Sequence, residues 1–299
     1  MSVDVKKIST EARNASSLQL DEMSTIELLT TINNEDQKVP VVIKDMIPQI
    51  AQFVDEAYLR LQQGGRLIYI GAGTSGRIGL LDASECPPTF GVDKEKIMGL
   101  LAGGLEAFVS AKEGAEDSAE LGVSDCQNIN LSKLDCLVGI AASGRTPYVI
   151  GAINYAKRIG ALTGCIVNAS NSALASIVDY PMEAVTGAEV LSGSTRMKSG
   201  TAQKLICNMI STSLMTKLGH VYQNLMVDVV ATNEKLVARQ LGIIQSATET
   251  DIDKAKELLE EYGTVKLAIY GYFTGASVED AKRALALHQD NLTKSLRDK

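Results

Sequence analysis

Between Pro40 and Gly65 the apolar residues Ile43, Ile47, Ile50, Val54, Ala57 and Leu61 recur at every third or fourth position. That spacing predicts one helix with a single buried stripe, ending at Gly64 and Gly65, with Pro48 placed to kink it. The period then changes. Short β-rich runs follow at 67–70 (LIYI), 97–102 (IMGLLA), 136–142 (CLVGIAA), 165–169 (CIVNA) and, more weakly, 181–185, with helical or loop segments between them. Strand and helix in alternation predict an α/β fold with a doubly wound parallel sheet. A long helix is expected over 197–218, and helices from about residue 233 to the end, where Thr250 with Asp253 and Ser277 with Asp280 read as helix starts. Before Pro40 the chain is polar, with one short helix near 24–32 that Ser24 and Glu27 open as a capping box. The expected organisation is an N-terminal arm (1–38), an α/β domain (39–240) and a small helical domain (241–299).

Composition narrows the partners. With 45% of 299 residues hydrophobic, the chain can bury a sizeable core. Its formal charge is -7, from 29 basic and 36 acidic side chains, and it has no Lys/Arg block, so nucleic acid and an anionic membrane surface are not expected partners. No apolar run reaches the ~20 residues of a membrane span. The segment MSVDVKKISTEARN lacks the apolar centre of a signal peptide, and a cytoplasmic location is expected. Cys86, Cys126, Cys136, Cys165 and Cys207 are scattered and odd in number, and only His220 and His288 could join them, so neither a disulfide framework nor a zinc site is expected. Chemistry is left to carboxylates and hydroxyls.

Gly-rich turns supply a place for an anion. GAGTSG at 71–76 fits the dinucleotide fingerprint and follows a strand, but the next strand ends in Leu101, Ala102, Gly103 and Gly104, without the acidic residue that would bind a ribose. What remains is a turn that exposes backbone N–H groups at a helix start, where the dipole favours an anion. IAASGRTP repeats the arrangement with Ser143, Gly144 and Thr146, and GSTRMKSGTAQK places Ser194 and Thr195 ahead of the long helix. With Thr74, Ser75 and Gly76 these residues form a candidate site for a single phosphate. The alternative for any one loop is that its hydroxyls cap a helix. Arg77 and Arg145 are open to two roles, anion ligand or surface ion pair.

Two carboxyls sit in opposite fields. In DASECPP, Pro87 is expected to stop the helix, which places Glu85 at a helix C-terminus beside Asp82. The negative end of the dipole favours a protonated carboxyl, the state of a general acid. In KEGAEDSAELG, Gly114 breaks the preceding segment and Glu116 and Asp117 stand at the expected start of the next helix, where a carboxylate is favoured and can accept a proton. Ordinary helix capping is the competing reading of Glu116.

The motifs TEARN (10–14), INNEDQKVP (32–40), GAGTSGRIGLLDASECPPTFG (71–91), EGAEDS (113–118), GIAASGRTPYV (139–149), GSTRMKSGTAQK (193–204) and NLMVDVVATNEKL (224–236) together resemble the N-acetylmuramic acid 6-phosphate etherases. These belong to the sugar isomerase (SIS) family and are related to the glucokinase regulatory protein. The resemblance implies an SIS fold, a C-terminal domain similar to ubiquitin-associated folds, and a homodimer with active sites near the subunit interface. It implies no metal or organic cofactor, and a small sugar phosphate as ligand, met in the recycling of cell-wall sugars. Carried over by motif, Glu85 in SECPP is the proton donor and Glu116 in EGAEDS the second catalytic glutamate. The chain departs from the family pattern at Tyr270, Gly271 and Tyr272, where aliphatic residues are usual, and at Thr195 and Ser199, where Ser and Ala are common.

The reaction so implied is elimination followed by addition. Glu116 would take the C2 proton of the open-chain sugar, Glu85 would protonate the lactyl oxygen leaving C3, and water would then add with the roles reversed. The hydroxyl loops would hold the 6-phosphate away from the chemistry. A group that stabilises the enolate is required, and Asn233, Lys235 and Lys198 are candidates by chemistry alone. Two other readings stand beside this one: a sugar-phosphate sensor that binds without turnover, and an SIS aldose–ketose isomerase, against which the scarcity of histidine counts.

Overall fold

Leu67, Ile68, Tyr69 and Ile70 are all buried, so the first strand shows no alternation of apolar and polar faces. A strand covered on both sides belongs at the centre of a parallel sheet with helices on each face. The computed structural model, which describes residues 11–110, 112–231 and 233–298, places it there. β1 (Leu67–Gly71), β2 (Ile97–Leu101), β3 (Cys136–Ile140), β4 (Leu162–Val167) and β5 (Tyr180–Glu183) form one sheet in the order β2-β1-β3-β4-β5. Every pairing is parallel, with Leu67 facing Ile97 on one side and Cys136 on the other. The doubly wound sheet read from the sequence is the observed one.

The chain divides into two compact units. Among the described residues, the first takes those within 11–84 and 95–211 and contains the whole sheet; the second takes those within 85–94 and 212–298. Around the sheet run α1 (Thr25–Asp36), α2 (Lys38–Gln62), α3 (Gly73–Phe90), the one-turn α4 (Glu106–Val109), α5 (Ala119–Asn128), α6 (Pro147–Ile159) and α7 (Lys198–Lys217). α1 opens with the Ser24–Glu27 capping box expected from the sequence. α2 buries Ile43, Ile50, Val54, Ala57 and Leu61 from the expected stripe, while Ile47 remains 51% exposed, and Pro48 lies inside the helix. Ile68, Ile70, Leu137, Val149, Ile153 and Val167 form part of the core between the sheet and the α6 side.

In the second unit a two-stranded hairpin, β6 (Val221–Tyr222) and β7 (Leu225–Met226), precedes α8 (Glu234–Thr248), α9 (Ile252–Tyr262), α10 (Val265–Thr274), α11 (Val278–Leu287) and α12 (Leu292–Arg297). Ile244, Ala255, Leu258, Ala268, Ile269, Ala281 and Leu285 supply its own core. Ser277 caps α11 as expected, but α9 is capped by Asp251, not Thr250. Glu249, in the left-handed region at φ 58, ends α8 and moves the start of the next helix one residue along. Tyr270 is buried in the C-terminal core, which accommodates the departure from aliphatic residues there. Among the described residues no helix is long and apolar enough to cross a membrane.

Two expectations about local structure fail. α3 does not stop at Pro87; it runs to Phe90 with Pro87 and Pro88 inside it. Each proline forfeits one backbone hydrogen bond, but both lie in the closing turns, where Gly91 N–H still reaches the Pro87 carbonyl at 2.9 Å. Glu85 is therefore an exposed residue of a continuing helix and not its C-terminus. Nor does Glu116 open an α-helix. It sits in a 3-10 turn, Ala115–Asp117, after Gly114 at φ 74, and the cap of α5 is Ser118, whose hydroxyl accepts from Leu121 N–H.

Candidate functional site

The sheet order changes direction between β1 and β3, and in such sheets ligands bind at the carboxyl ends of the two strands flanking the switch. The loops there are the two Gly-Ser turns of the sequence. A pocket of about 220 Å³ opens between them, lined by Thr74 and Ser75 after β1 and by Ser143 and Thr146 after β3. Thr195 joins from the loop ahead of α7, and Glu116 and Glu11 complete the polar wall. The third loop reaches the first at Gly200, where an added methyl would stand 3.6 Å from both Thr74 Cγ2 and the Thr195 carbonyl oxygen.

The hydroxyls are not consumed in holding the loops. Thr146 is the N-cap residue of α6, with Pro147 following, yet its side chain makes no capping hydrogen bond. Among the described residues none hydrogen-bonds the hydroxyl of Thr74, Ser75, Ser143, Thr146 or Thr195, whereas Ser118, Thr264 and Ser277 do accept backbone N–H groups at their helix starts. The capping alternative thus fails for Thr146 itself. The hydroxyl-bearing residues and the starts of α3 and α6 border one small volume, an arrangement suited to an anion.

Other positions serve this arrangement without lining the pocket. Gly144 has φ 64, and a side chain there would collide with Ser172, so its part is to turn the loop that presents Ser143. A side chain at Gly76 would strike the Gly71 carbonyl and Leu101, so this glycine lets α3 close on β1. Ser194 is also absent from the lining. Arg77 forms no ion pair among the described residues; its Nε and Nη2 donate to the carbonyls of Phe108 and Ala107, both at 2.8 Å, and tie α4 down. Arg145 is exposed outside the pocket.

The α7 loop is held by buried charge. Glu189, fully buried, accepts from Lys198 N–H at 3.0 Å and from the N–H and hydroxyl of Ser199, each at 2.9 Å. Ser199, a departure from the family's usual Ala, so gains a hydrogen bond to that carboxylate. Lys198 Nζ reaches the Glu35 carboxylate and the Ala188 carbonyl, at 2.6 and 2.7 Å. This pairing removes Lys198 from the enolate candidates, and Asn233 caps α8 through Leu236 N–H. On α3, Asp82 is buried and accepts from Asn208 and Ser211 at 2.6 and 3.1 Å; burial raises its carboxyl above the ordinary value despite those bonds.

A second cavity of about 230 Å³ adjoins the first and shares Ala72, Gly73 and Glu116 with it. Arg77, Ala102, Ala107 and Lys112 line its far side. Glu116, exposed in its 3-10 turn, therefore faces both spaces. Glu11 is the lining residue that sequence reasoning passed over, although the TEARN motif contains it; Thr10 of that motif lies outside the described residues.

Comparison with known proteins bears on the family and the fold. The profile of the glucokinase regulatory protein N-terminal SIS domain matches residues 49–157. The N-acetylmuramic acid 6-phosphate etherase of Halalkalibacterium halodurans is 54% identical over 280 residues, covering 93% of this chain and 94% of that protein. The one from Clostridium botulinum is 49% identical, covering 98% of each. Among solved structures, a phosphoheptose isomerase from Francisella tularensis superposes with a TM-score of 0.51 at 17% identity, over 65% of this chain and 100% of that one, which speaks for the fold. With near-complete coverage at about half identity, the chain belongs to the N-acetylmuramic acid 6-phosphate etherase family.

Proposed function

We propose that the protein cleaves the D-lactyl ether of N-acetylmuramic acid 6-phosphate, giving N-acetylglucosamine 6-phosphate and D-lactate. The observation that carries this reading is the convergence of Thr74, Ser75, Ser143, Thr146 and Thr195 on one pocket that also contains Glu116. The hydroxyls and helix N-termini take the 6-phosphate, and Gly76, Gly144 and Ser194 support them through the backbone of the same loops. A sugar anchored there brings C2 toward Glu116, while its C2 and C3 substituents extend into the adjoining cavity.

Glu116 removes the C2 proton of the open-chain aldehyde, where the neighbouring carbonyl stabilises the carbanion. Glu85, exposed on α3, protonates the departing lactyl oxygen at C3, then activates the water that adds to the unsaturated aldehyde. The role of Glu85 rests on its place in the SECPP motif. The working unit on this reading is a cytoplasmic homodimer with active sites near the interface, serving the reuse of peptidoglycan sugars.

Incubation with N-acetylmuramic acid 6-phosphate in heavy-oxygen water tests the proposal. D-lactate should be released and the label should appear at C3 of the sugar product. Folded protein that binds the sugar phosphate and releases no lactate would point to a sensor instead.

A further inference from the structure

The N-terminal segment is anchored to the α7 loop at several points. Asn14 Nδ2 donates to the Ala188 carbonyl at 3.0 Å, and Ser17 Oγ to the Val190 carbonyl at 2.7 Å. Ser16 Oγ donates to Glu35, which is itself paired with Lys198. These bonds hold the Glu11 side chain against the wall of the hydroxyl pocket. A methyl on Gly193 would stand 2.9 Å from Glu11 Oε2, so the carboxylate occupies space that a side chain at 193 would contest. No described residue hydrogen-bonds or ion-pairs with Glu11.

A carboxylate gains nothing from facing a phosphate of like charge. Its use lies in proton transfer with an oxygen of the bound sugar, giving a proton in its acid form or taking one from a hydroxyl as the carboxylate. The etherase reading, on which this step rests, requires an open-chain aldehyde, and the ring oxygen O5 is bonded to C5, next to the phosphorylated C6. Binding the phosphate in the hydroxyl pocket therefore brings O5 to the same wall, while Glu116 stands where the pocket joins its neighbour and serves C2. No histidine lines the pocket; His220 is hydrogen-bonded to Asp228 in the other compact unit.

We propose that Glu11 is the proton-transfer group of ring opening. In its acid form it donates to O5 as the C1–O5 bond breaks; water takes the proton from the C1 hydroxyl, and C1=O forms. In closure the carboxylate takes the O5 proton back as O5 attacks C1, and water protonates O1.

Exchange NMR of the two anomers of N-acetylglucosamine 6-phosphate reads this step without lactate chemistry. Wild-type protein should accelerate their interconversion. Glu11→Gln should slow the catalysed rate about 100-fold or more, the scale of a lost general acid–base group, with the dissociation constant for the sugar phosphate changed less than about threefold on the 1.4 kcal/mol-per-decade scale. Glu11→Asp, which keeps the acid, should recover part of the rate, and it decides the matter should the Gln variant fail to fold. Interconversion at the wild-type rate in either folded variant, no acceleration by wild-type protein, or loss of binding with no change in the rate of bound sugar would each overturn the assignment. Wild-type protein that interconverts the anomers but releases no D-lactate would remove the etherase reading and leave Glu11 its role.

Discussion

Lys198 Nζ lies 2.6 Å from a Glu35 carboxylate oxygen, and the two side chains are 2% and 4% exposed. The pair joins the end of α1 to the start of α7, two elements 163 residues apart in sequence. Removing one partner of a buried ion pair leaves the other charge unpaired in a dry site, at a cost of about 3–5 kcal/mol. Glu35→Gln should therefore lower unfolding stability by an amount near the bottom of that range, since the Ala188 carbonyl still receives Lys198. Replacing both partners, as Glu35→Leu with Lys198→Met, should cost less than either single change. Urea denaturation of the singles and the double measures this.

Glu35 also sets a pH dependence. Burial by itself raises its carboxyl, but hydrogen bonds from Lys198, Lys38, Asn14 and Ser16 outweigh that and bring it from 4.5 down to about 2. A group depressed in the folded state stabilises fully above its unfolded value and loses that contribution as pH falls through the folded one. Stability should decline between pH 4.5 and about 2, and Glu35→Gln should flatten that part of the curve. Thermal melts of wild type and variant across the window check the sign.

The thiols should be inert in the native state. All five cysteines are reduced and buried. Burial pushes Cys126, Cys136 and Cys165 up to about 12, and Cys207 goes well above its ordinary value for the same reason. Iodoacetamide at pH 8 should leave these four unlabelled until denaturant is added. Mass spectrometry of labelled peptides reads the outcome, and native labelling at Cys136 would contradict the fold around β3.

Much of the fold was legible because local signals carry it. A change of hydrophobic period marks where α2 ends and β1 begins, and five apolar runs separated by helices permit few arrangements other than a parallel sheet. The two Gly-Ser turns after β1 and β3 were legible for the same reason, since each joins a strand end to a helix start through a short glycine turn. Glu11 was not. Its place depends on Asn14 meeting the Ala188 carbonyl across 174 residues, a contact with no local trace. The reading of Glu85 as a helix terminus failed because proline rules describe a lost hydrogen bond, and in the closing turns of α3 that loss is tolerated. Glu116 was misplaced by a few residues: Gly114 turns the chain into a 3-10 turn before Ser118 starts the helix.

The pocket hydroxyls give the sharpest separation between function and stability. Ser143 and Thr146 make no hydrogen bond within the described structure through their side chains, so Ser143→Ala and Thr146→Val remove nothing the fold uses. Each should leave the unfolding free energy within about 0.5 kcal/mol of wild type, as for substitutions away from structural features. A hydrogen bond to a charged ligand contributes roughly 1.5–3 kcal/mol, so each loss should weaken sugar-phosphate binding by about 10- to 100-fold. Ser172 is the control: its side chain accepts from Ala175 N–H and packs against Gly144, so Ser172→Ala should cost stability first. Calorimetric binding of glucosamine 6-phosphate beside urea titrations distinguishes the cases. A Ser143→Ala protein that is destabilised yet binds normally would show that the hydroxyl serves the loop and not the anion.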